Sequence, residues 1–429
     1  MLPSIHATDN LVKFHPSTKS KFKPITSIMF NPRAWAEVRL DRVKRNLGAV
    51  RRAVGAKVDV MAVIKADAYG HGAVPIARAA LDAGAARLGV GDSTEAIELR
   101  ETGITAPIHV LGALVEREID DVIYHGITPT IHSLARVDDL DRRARMQGKR
   151  LPVHLMIDTG MGRLGVRPES AAELLYAIAS RPNLALEGIA THLSSAGDLD
   201  PEFTNEQLTA FRDVLRFARD HRIHVQKIHA AATAGLFFYP AARYNLVRPG
   251  ISLYGIDPGG LAARAGVTLE PALSLRSQIV FLKQVEAGTP IGYGATWRSP
   301  EPTKIATIPI GYNDGYPFAC SGRGAEILVR GVRAPVVGTV TMDYLIVDVG
   351  RVPGVAVGDM VTLIGSDGAD EIRVEDLARW GGTIPYEITC RLGKRVRRIY
   401  LAAGERTAPA PDGDEDALPA VFADETAAA

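Results

Sequence analysis

Short apolar runs and longer amphipathic segments alternate along the first two thirds of the chain. The apolar runs are rich in β-branched residues and carry few charges, which is typical of strands buried on both faces of a parallel sheet. They lie at residues 58–65, 87–91, 107–112, 127–131, 151–158, 186–193, 225–230 and 244–247. Helical spacing separates them, for example at residues 73–83, 94–101, 134–146, 170–180 and 202–220. About eight β/α units in roughly 200–250 residues predict a (β/α)8 barrel.

The segment before the first run also has a clear pattern. Residues 35–40 alternate like a strand, and residues 41–54 have helical spacing with Asp41 as the expected N-cap. A doubly wound sheet stays an alternative to the barrel. No G-x-G-x-x-G follows the first strand, however, so the dinucleotide-binding version of that fold has no support.

The pattern changes near residue 269. Short β-rich runs separated by glycine and proline then predict a C-terminal all-β domain, with runs at residues 272–285, 304–311, 325–329, 334–349 and 359–365. We therefore expect a barrel at residues 34–268 and a β-rich domain at 269–402. Residues 1–33 and 403–429 read as disordered extensions, and a translation start at Met29 stays open.

Composition and charge narrow the classes of function. The chain has 50 basic and 49 acidic residues, so its net charge of +1 gives no broad electrostatic surface for nucleic acid or membrane. Its 46% hydrophobic content can form a sizeable core. Two cysteines cannot form a disulfide framework, and no apolar stretch is long enough to span a bilayer. These features favour a cytoplasmic enzyme of small-molecule chemistry, without a metal site.

The strongest chemical candidate is Lys65, which ends the first barrel strand in A-V-I-K-A-D-A-Y-G-H-G at residues 62–72. Barrel folds build their sites from residues at these strand ends. A lysine there most often keeps its ammonium group in water. Here Tyr69 adds a hydroxyl, while Gly70 and Gly72 let the backbone approach a ligand. A partly desolvated lysine with a lowered pKa would suit imine formation or proton abstraction.

This motif closely resembles the pyridoxal-phosphate signature of alanine racemases, in which the lysine carries the cofactor as a Schiff base. The resemblance extends from about residue 34 to 400. It implies interconversion of L-alanine and D-alanine by two-base proton transfer at Cα, with pyridoxal 5'-phosphate as cofactor. Lys65 would serve one face of the substrate. Tyr293, in G-Y-G-A-T-W at residues 292–297, would serve the other.

The resemblance also assigns residues that bind the cofactor. Arg248 would face the pyridine nitrogen and, because guanidinium does not release its proton, would not fully protonate the ring. The alternative for Arg248 is an arginine in a structural salt bridge, and the alternative for His192 is a histidine of the core. The remaining residues carried over are Tyr69, His192, Thr233, Gly250, Ile251 and Tyr386. Ala232 stands where the family commonly has asparagine, so one polar contact near the phosphate is missing.

The resemblance assigns the substrate carboxylate to Arg163 and the backbone N–H of Met342, and Asp343 to the shape of the pocket. Many family members carry, at the position of Met156, a lysine modified to a carbamate that orients this arginine. Methionine cannot be modified in that way. Asp158, a small anion or ordered water are the candidate replacements. Since a thioether accepts hydrogen bonds only weakly, we expect an anion or water beside Met156.

The family also implies a homodimer with shared active sites, in which the tyrosine corresponding to Tyr293 enters the site of the second copy. Three alternatives to an alanine racemase stay open at the level of sequence. They are a racemase of another small amino acid such as serine, a pyridoxal-phosphate-dependent decarboxylase of the same architecture, and a non-catalytic cofactor-binding barrel. The last class lacks the β-rich domain.

Overall fold

The computed structural model describes residues 32–405. The disordered extensions that the sequence predicts, and the alternative start at Met29, therefore lie almost entirely outside the described residues. Within the described range, the chain forms a barrel followed by a region that is mostly sheet.

Eight parallel strands form the barrel, in the order β8-β7-β6-β5-β4-β3-β2-β9. They follow strand β1 (Ala34–Arg39), and their bounds are β2 Asp59–Val63, β3 Arg87–Val90, β4 Ile108–Val110, β5 Thr128–Ile131, β6 Leu151–Ile157, β7 Leu184–Thr191, β8 Lys227–His229 and β9 Leu246–Val247. Seven of the eight predicted apolar runs contain one of them, and the run at residues 186–193 overlaps β7, which begins two residues earlier. Strands β8 and β9 are joined by a single bridge between Ala232 and Arg248, so the barrel is nearly closed. The predicted barrel is confirmed.

Helices flank the barrel, except that residues 65–70, labelled α2, form a single left-handed turn at its mouth. In order they are α1 Leu40–Val54, α2 Lys65–Gly70, α3 Ala73–Asp82, α4 Ser93–Glu101, α5 Ile119–Tyr124, α6 Leu134–Met146, α7 Ala171–Ala179, α8 Glu202–Asp220, α9 Thr233–Phe238 and α10 Leu261–Arg264. The N-cap prediction for Asp41 is wrong, because α1 follows β1 directly and its N-cap is Arg39. Asp41 lies in the first turn instead and pairs with Arg39 and Arg45.

The C-terminal region contains a seven-stranded sheet in the order β16-β15-β18-β10-β1-β20, with β19 on β18, and two smaller sheets, β11-β14-β17 and β12-β13. The strands are β10 Leu273–Gln278, β11 Phe281–Val285, β12 Pro290–Ile291, β13 Trp297–Arg298, β14 Thr303–Ile308, β15 Glu326–Val329, β16 Val332–Pro335, β17 Leu345–Asp348, β18 Met360–Asp367, β19 Asp370–Ile372 and β20 Arg397–Leu401. Two helices, α11 (Val374–Gly381) and α12 (Pro385–Cys390), were not predicted, so the region is mostly sheet rather than all-β.

Strand β1 belongs to this second region, although it precedes the barrel in the chain. It pairs antiparallel with β10 and parallel with β20. Its alternating side chains explain the placement, because Ala34, Ala36 and Val38 are buried while the residues between them are not. The sequence-based assignment of this strand to the barrel is therefore corrected by its pairing.

Four histidines between residues 32 and 405 are fully buried: His71 beside the barrel mouth, and His109, His154 and His229 within the barrel strands. Burial lowers the pKa of His71 and of His154 to about 4. Burial also lowers the pKa of His109 and of His229 far below the usual range. The folded chain thus keeps these imidazoles neutral at pH values where an unfolded chain would protonate them.

We predict that the free energy of unfolding decreases as the pH falls from 7 to 5. Unfolded histidine binds a proton near pH 6.5, whereas His71 and His154 do not until about pH 4, and burial lowers the pKa of His109 and His229 as well, so the unfolded state binds more protons in this range. The loss is about 2 kcal/mol for each fully buried histidine by pH 5. Urea titrations across this range would measure it. A His224→Gln variant, at an exposed position, should keep the same slope, and a pH-independent midpoint would contradict the prediction.

Candidate active site

The candidate residues of the barrel follow the C-terminal ends of different strands. Because parallel strands end at the same face of a barrel, these side chains surround one cleft. Lys65 follows β2, Arg163 follows β6, His192 follows β7, Thr233 follows β8 and Arg248 follows β9. The structure therefore brings together the barrel residues that the sequence singled out.

Lys65 is exposed in the single chain, yet protein atoms surround it closely enough to change its protonation. Partial desolvation, followed by the positive charge of Arg163, lowers the pKa of its ammonium group, and Glu95 opposes part of this shift. A lowered pKa increases the fraction of neutral amine, which is the form that attacks a carbonyl carbon or accepts a proton. This agrees with the chemistry expected of Lys65.

The backbone after Lys65 forms a single left-handed helical turn. Ala66 to Tyr69 all have φ between 51° and 55°, although none of them is glycine. This conformation costs roughly 1–2 kcal/mol per residue, so fixed contacts must hold it. Glu95 accepts hydrogen bonds from the N–H of Ala66 at 2.5 Å and of Gly91 at 2.7 Å. Asp67 accepts one from the N–H of Ala73 at 2.6 Å.

The C-terminal region supports the same turn from the other side. Arg398 donates a hydrogen bond from Nε to the carbonyl oxygen of Gly70 at 3.1 Å. A Cβ atom at Gly70 would collide with the carbonyl group of Thr389 in α12, and Gly70 has a φ of +81°. Glycine is thus required there by both space and conformation. Arg398 and Glu95 were not predicted as site residues, and nothing in their local sequence distinguishes them.

Uncharged hydrogen-bond donors converge around Gly250. The hydroxyl of Thr233 accepts from the N–H of Gly250 at 3.3 Å and lies 3.2 Å from the hydroxyl of Ser252. A Cβ at Gly250 would come within 2.5 Å of the hydroxyl of Tyr69. The ring of Tyr69 lies 6.1 Å from that of Tyr386. Ile251 begins the following 3-10 helix, so its N–H is one of the donors without a partner inside that helix.

Arg248 extends into the barrel and is 4% exposed. Its Nη2 donates to the carbonyl oxygens of Thr191 at 2.8 Å and Ala230 at 3.0 Å, and lies 3.2 Å from Nδ1 of His192. Its Nη1 lies 2.6 Å from Nδ1 of His229. Burial lowers the pKa of the guanidinium group only to about 10, so it stays charged at neutral pH.

His192 lies beside this arginine, as the sequence predicts. Burial, with the charges of Arg248, Arg163 and Lys65, lowers the pKa of its imidazole to about 3. A neutral imidazole in contact with Arg248 must present an unprotonated nitrogen to it, because guanidinium only donates. The backbone carbonyl of His192 accepts from Gln207 at 3.2 Å, which fixes the start of the loop after β7.

Arg163 lies on an exposed loop, residues 158–165, which folds back onto β6. Asp158 accepts hydrogen bonds from the N–H groups of Gly160 and Gly162, at 3.0 Å each. It is therefore committed to the backbone of its own loop and does not pair with Arg163. No hydrogen bond or ion pair joins Arg163 to another residue between 32 and 405, and Met156 is buried in β6.

Tyr293 and Met342 lie in the C-terminal region and point to solvent, with 75% and 52% of their surface exposed. The side chain of Tyr293 has no hydrogen bond or ring contact with any residue from 32 to 405. Tyr312, another exposed aromatic, donates its N–H to Thr341 next to Met342 and packs against Phe318. Asp343 pairs with Arg395 at 2.7 Å. The single chain therefore leaves these residues uncovered.

Comparison with known proteins identifies the family. Sequence profiles of the alanine racemase N-terminal and C-terminal domains match residues 38–258 and 272–400. The chain belongs to the alanine racemase family. An alanine racemase from Methanococcus maripaludis is 41% identical over 368 residues, which cover 86% of this chain and 98% of the relative.

Solved structures of the family agree with the fold. Alanine racemase from Bacillus anthracis, solved with bound L-Ala-P, is 35% identical with a TM-score of 0.81, over 88% of this chain and 97% of that one. Alanine racemase from Bartonella henselae, solved with covalently bound pyridoxal phosphate, is 30% identical with a TM-score of 0.77, over 86% and 99%. Among the helices of residues 32–405, none combines the length and apolar composition that crossing a bilayer requires.

Proposed function

We propose that this chain interconverts L-alanine and D-alanine, using pyridoxal 5'-phosphate held in the barrel cleft. The observation that carries the proposal is the position of Lys65, whose amine has a lowered pKa and shares the cleft with the buried cation Arg248. Membership of the alanine racemase family supports the same reaction. Relatives solved with L-Ala-P and with pyridoxal phosphate support the substrate and the cofactor.

The residues around the cleft fit this cofactor. Tyr69, Thr233, Tyr386 and the N–H groups of Gly250 and Ile251 would hold its phosphate, and the closeness of Gly250 to the hydroxyl of Tyr69 explains why no side chain occupies that position. Arg248 would face the ring nitrogen, with His192 beside it. Lys65 would hold the cofactor covalently between turnovers. When bound, pyridoxal phosphate withdraws electrons from the substrate Cα and makes its proton more acidic.

Two groups would then move the proton. Nζ of Lys65 would take or return the Cα proton on one face of the substrate. The hydroxyl of Tyr293 does the same on the opposite face, so that removal on one side and return on the other inverts the centre. Arg163 and the N–H of Met342 hold the substrate carboxylate during both steps, each as a charge-assisted or polar hydrogen bond.

Tyr293 would come from a second copy of the chain. Its exposure, and that of Tyr312, Phe318 and Met342 in the same region, leaves apolar surface that a partner would cover. We therefore propose a homodimer with two shared sites. A racemase of serine differs only in the substrate side chain, and no feature of the described residues favours it over alanine.

We also propose a boundary between barrel and C-terminal region near residue 269. The family profiles support it, because one matched segment ends at residue 258 and the other begins at residue 272. A cytoplasmic location is supported by the cysteines, since Cys320 is buried, Cys390 is exposed and neither is in a disulfide.

The reaction predicts a specific isotope result. L-alanine incubated with the cofactor-loaded enzyme in deuterated water should give D-alanine and deuterium at Cα in both enantiomers. Lys65→Ala should lose covalent cofactor attachment and at least ~10³-fold of the exchange, because its amine is both anchor and base. Release of carbon dioxide would indicate a decarboxylase instead. Cofactor binding without exchange in the unsubstituted enzyme would indicate a binding protein.

The shared site predicts recovery of activity in mixed dimers. Lys65→Ala and Tyr293→Phe should each be inactive alone. After subunit exchange, the heterodimer has one site with both residues intact, so a mixture should regain up to about a quarter of the normal rate. The doubly substituted chain, mixed with Lys65→Ala, is the matched control and should regain nothing. Proven exchange without recovery would rule out the shared site.

Met156 predicts that activity does not depend on carbon dioxide. Removing bicarbonate should leave the rate unchanged, because the side chain of Met156 has no amine that could form a carbamate. Met156→Lys is the matched variant, and it should become sensitive to bicarbonate. Replacing chloride by a large organic anion tests the proposed small anion. A rate that falls on this replacement, but not on removal of bicarbonate, would identify chloride as that anion. Activity that is lost on degassing and restored by bicarbonate would contradict the prediction.

A further inference from the structure

A chain of buried side chains continues from Arg248 through the interior of the barrel. Nη1 of Arg248 lies 2.6 Å from Nδ1 of His229, and Nε2 of His229 lies 2.7 Å from Nδ1 of His154. Nε2 of His154 lies 3.0 Å from Oε2 of Glu187. Arg87 ends the chain with two hydrogen bonds to Glu187, at 3.1 Å and 2.5 Å. The chain therefore connects the cleft to residues of β3, β6, β7 and β8.

Only one arrangement of hydrogens satisfies this geometry. Guanidinium has no acceptor, so Nδ1 of His229 must accept from Arg248, and the proton of that imidazole lies on Nε2. This N–H donates to Nδ1 of His154, whose own proton then also lies on Nε2 and points to the carboxylate of Glu187. Nη1 of Arg87, although 3.2 Å from the same Nε2, must donate to Glu187 instead.

The protonation states agree with this direction. Burial keeps both imidazoles neutral, with the pKa of His154 lowered to about 4 and that of His229 lowered further. Burial alone would raise the pKa of Glu187, but hydrogen bonds from His154 and Arg87 outweigh it and lower the pKa to about 2. Glu187 is thus the one anion in this series of hydrogen-bonded side chains, and the cations Arg248 and Arg87 lie at its two ends.

We propose that Glu187 is a positioning residue for the cofactor: through His154 and His229 it fixes the side chain of Arg248 that faces the ring nitrogen. The inference rests on the proposed function for the identity of that ligand. Nη1 and Nη2 of Arg248 are occupied by His229 and by backbone carbonyls. Nε makes no hydrogen bond within residues 32–405 and is the donor left for a ligand.

The role of Glu187 requires a side chain that accepts hydrogen bonds and donates none. His154 and Arg87 both donate to it, so an amide in its place must direct its NH2 group at one of these donors. Glu187→Gln therefore disrupts the directions of these hydrogen bonds with almost no change in side-chain volume. Arg87→Gln/Glu187→Gln removes both charges, and its two amides can bond each other while an oxygen still accepts from His154. Asp59→Asn is the control, because it neutralises an acid that pairs with Lys227 at the start of strands β2 and β8.

Neutron diffraction of the cofactor-loaded enzyme would locate the hydrogens directly and needs no variant. We expect a proton on Nε2 and none on Nδ1 in both His154 and His229. A charged imidazole or the opposite tautomer in either residue would overturn the inference. This result does not depend on turnover, so an enzyme with these tautomers that fails to exchange alanine would refute only the proposed function.

The variants test whether the chain acts on the ligand. Glu187→Gln should weaken cofactor affinity by on the order of tenfold, the scale found for partners behind a ligating side chain, and shift the visible absorption of the bound cofactor. Arg87→Gln/Glu187→Gln should recover most of this affinity, and Asp59→Asn should lose none. Thermal midpoints measured alongside separate these effects from lost stability. The inference would be overturned if both variants that carry Glu187→Gln had the same cofactor affinity and the same visible absorption as Asp59→Asn.

Discussion

A charged guanidinium group in the interior of the barrel is the constraint on which the rest of the site depends. An unpaired cation there would cost several kcal/mol, so the surrounding strands must supply acceptors. Thr191 in β7 and Ala230 just after β8 provide carbonyl oxygens, and His229 provides a nitrogen, all directed at Arg248. The same residue makes the single bridge between the ends of the barrel sheet. The backbone of Arg248 thus helps to close the barrel, while its side chain places the positive charge at the base of the cleft.

The left-handed turn after Lys65 shows the same relation between local cost and surrounding support. Four unfavourable backbone conformations persist because Glu95, Asp67 and Arg398 bind the backbone at fixed points. Such strain is found where the surrounding structure determines the conformation more strongly than the local sequence does. The turn places the hydroxyl of Tyr69 against Gly250 and leaves Lys65 at the mouth of the barrel.

Much of this was predictable from sequence, for identifiable reasons. Strands of a parallel barrel are apolar over their whole length, so their runs stand out, and the motifs around Lys65 and Arg248 identify a family. The left-handed turn was not predictable, because its residues are ordinary helix formers and the contacts that force it come from distant segments. The hydrogen-bonded side chains behind Arg248 are only weakly indicated by the sequence. Glu187 interrupts the mostly apolar strand β7, and His154 does the same in β6.

Strand β1 has a consequence for how the protein is made. It is among the first residues of the described chain to leave the ribosome, yet its neighbours in the sheet are β10 and β20, more than 230 and 360 residues later. The barrel strands, in contrast, pair almost entirely with their neighbours in sequence. During synthesis the barrel can therefore assemble progressively, while β1 keeps two unpaired edges until the second region emerges. One edge of β1 thus stays open to wrong strand pairing until β20, the last strand among the described residues, has been made.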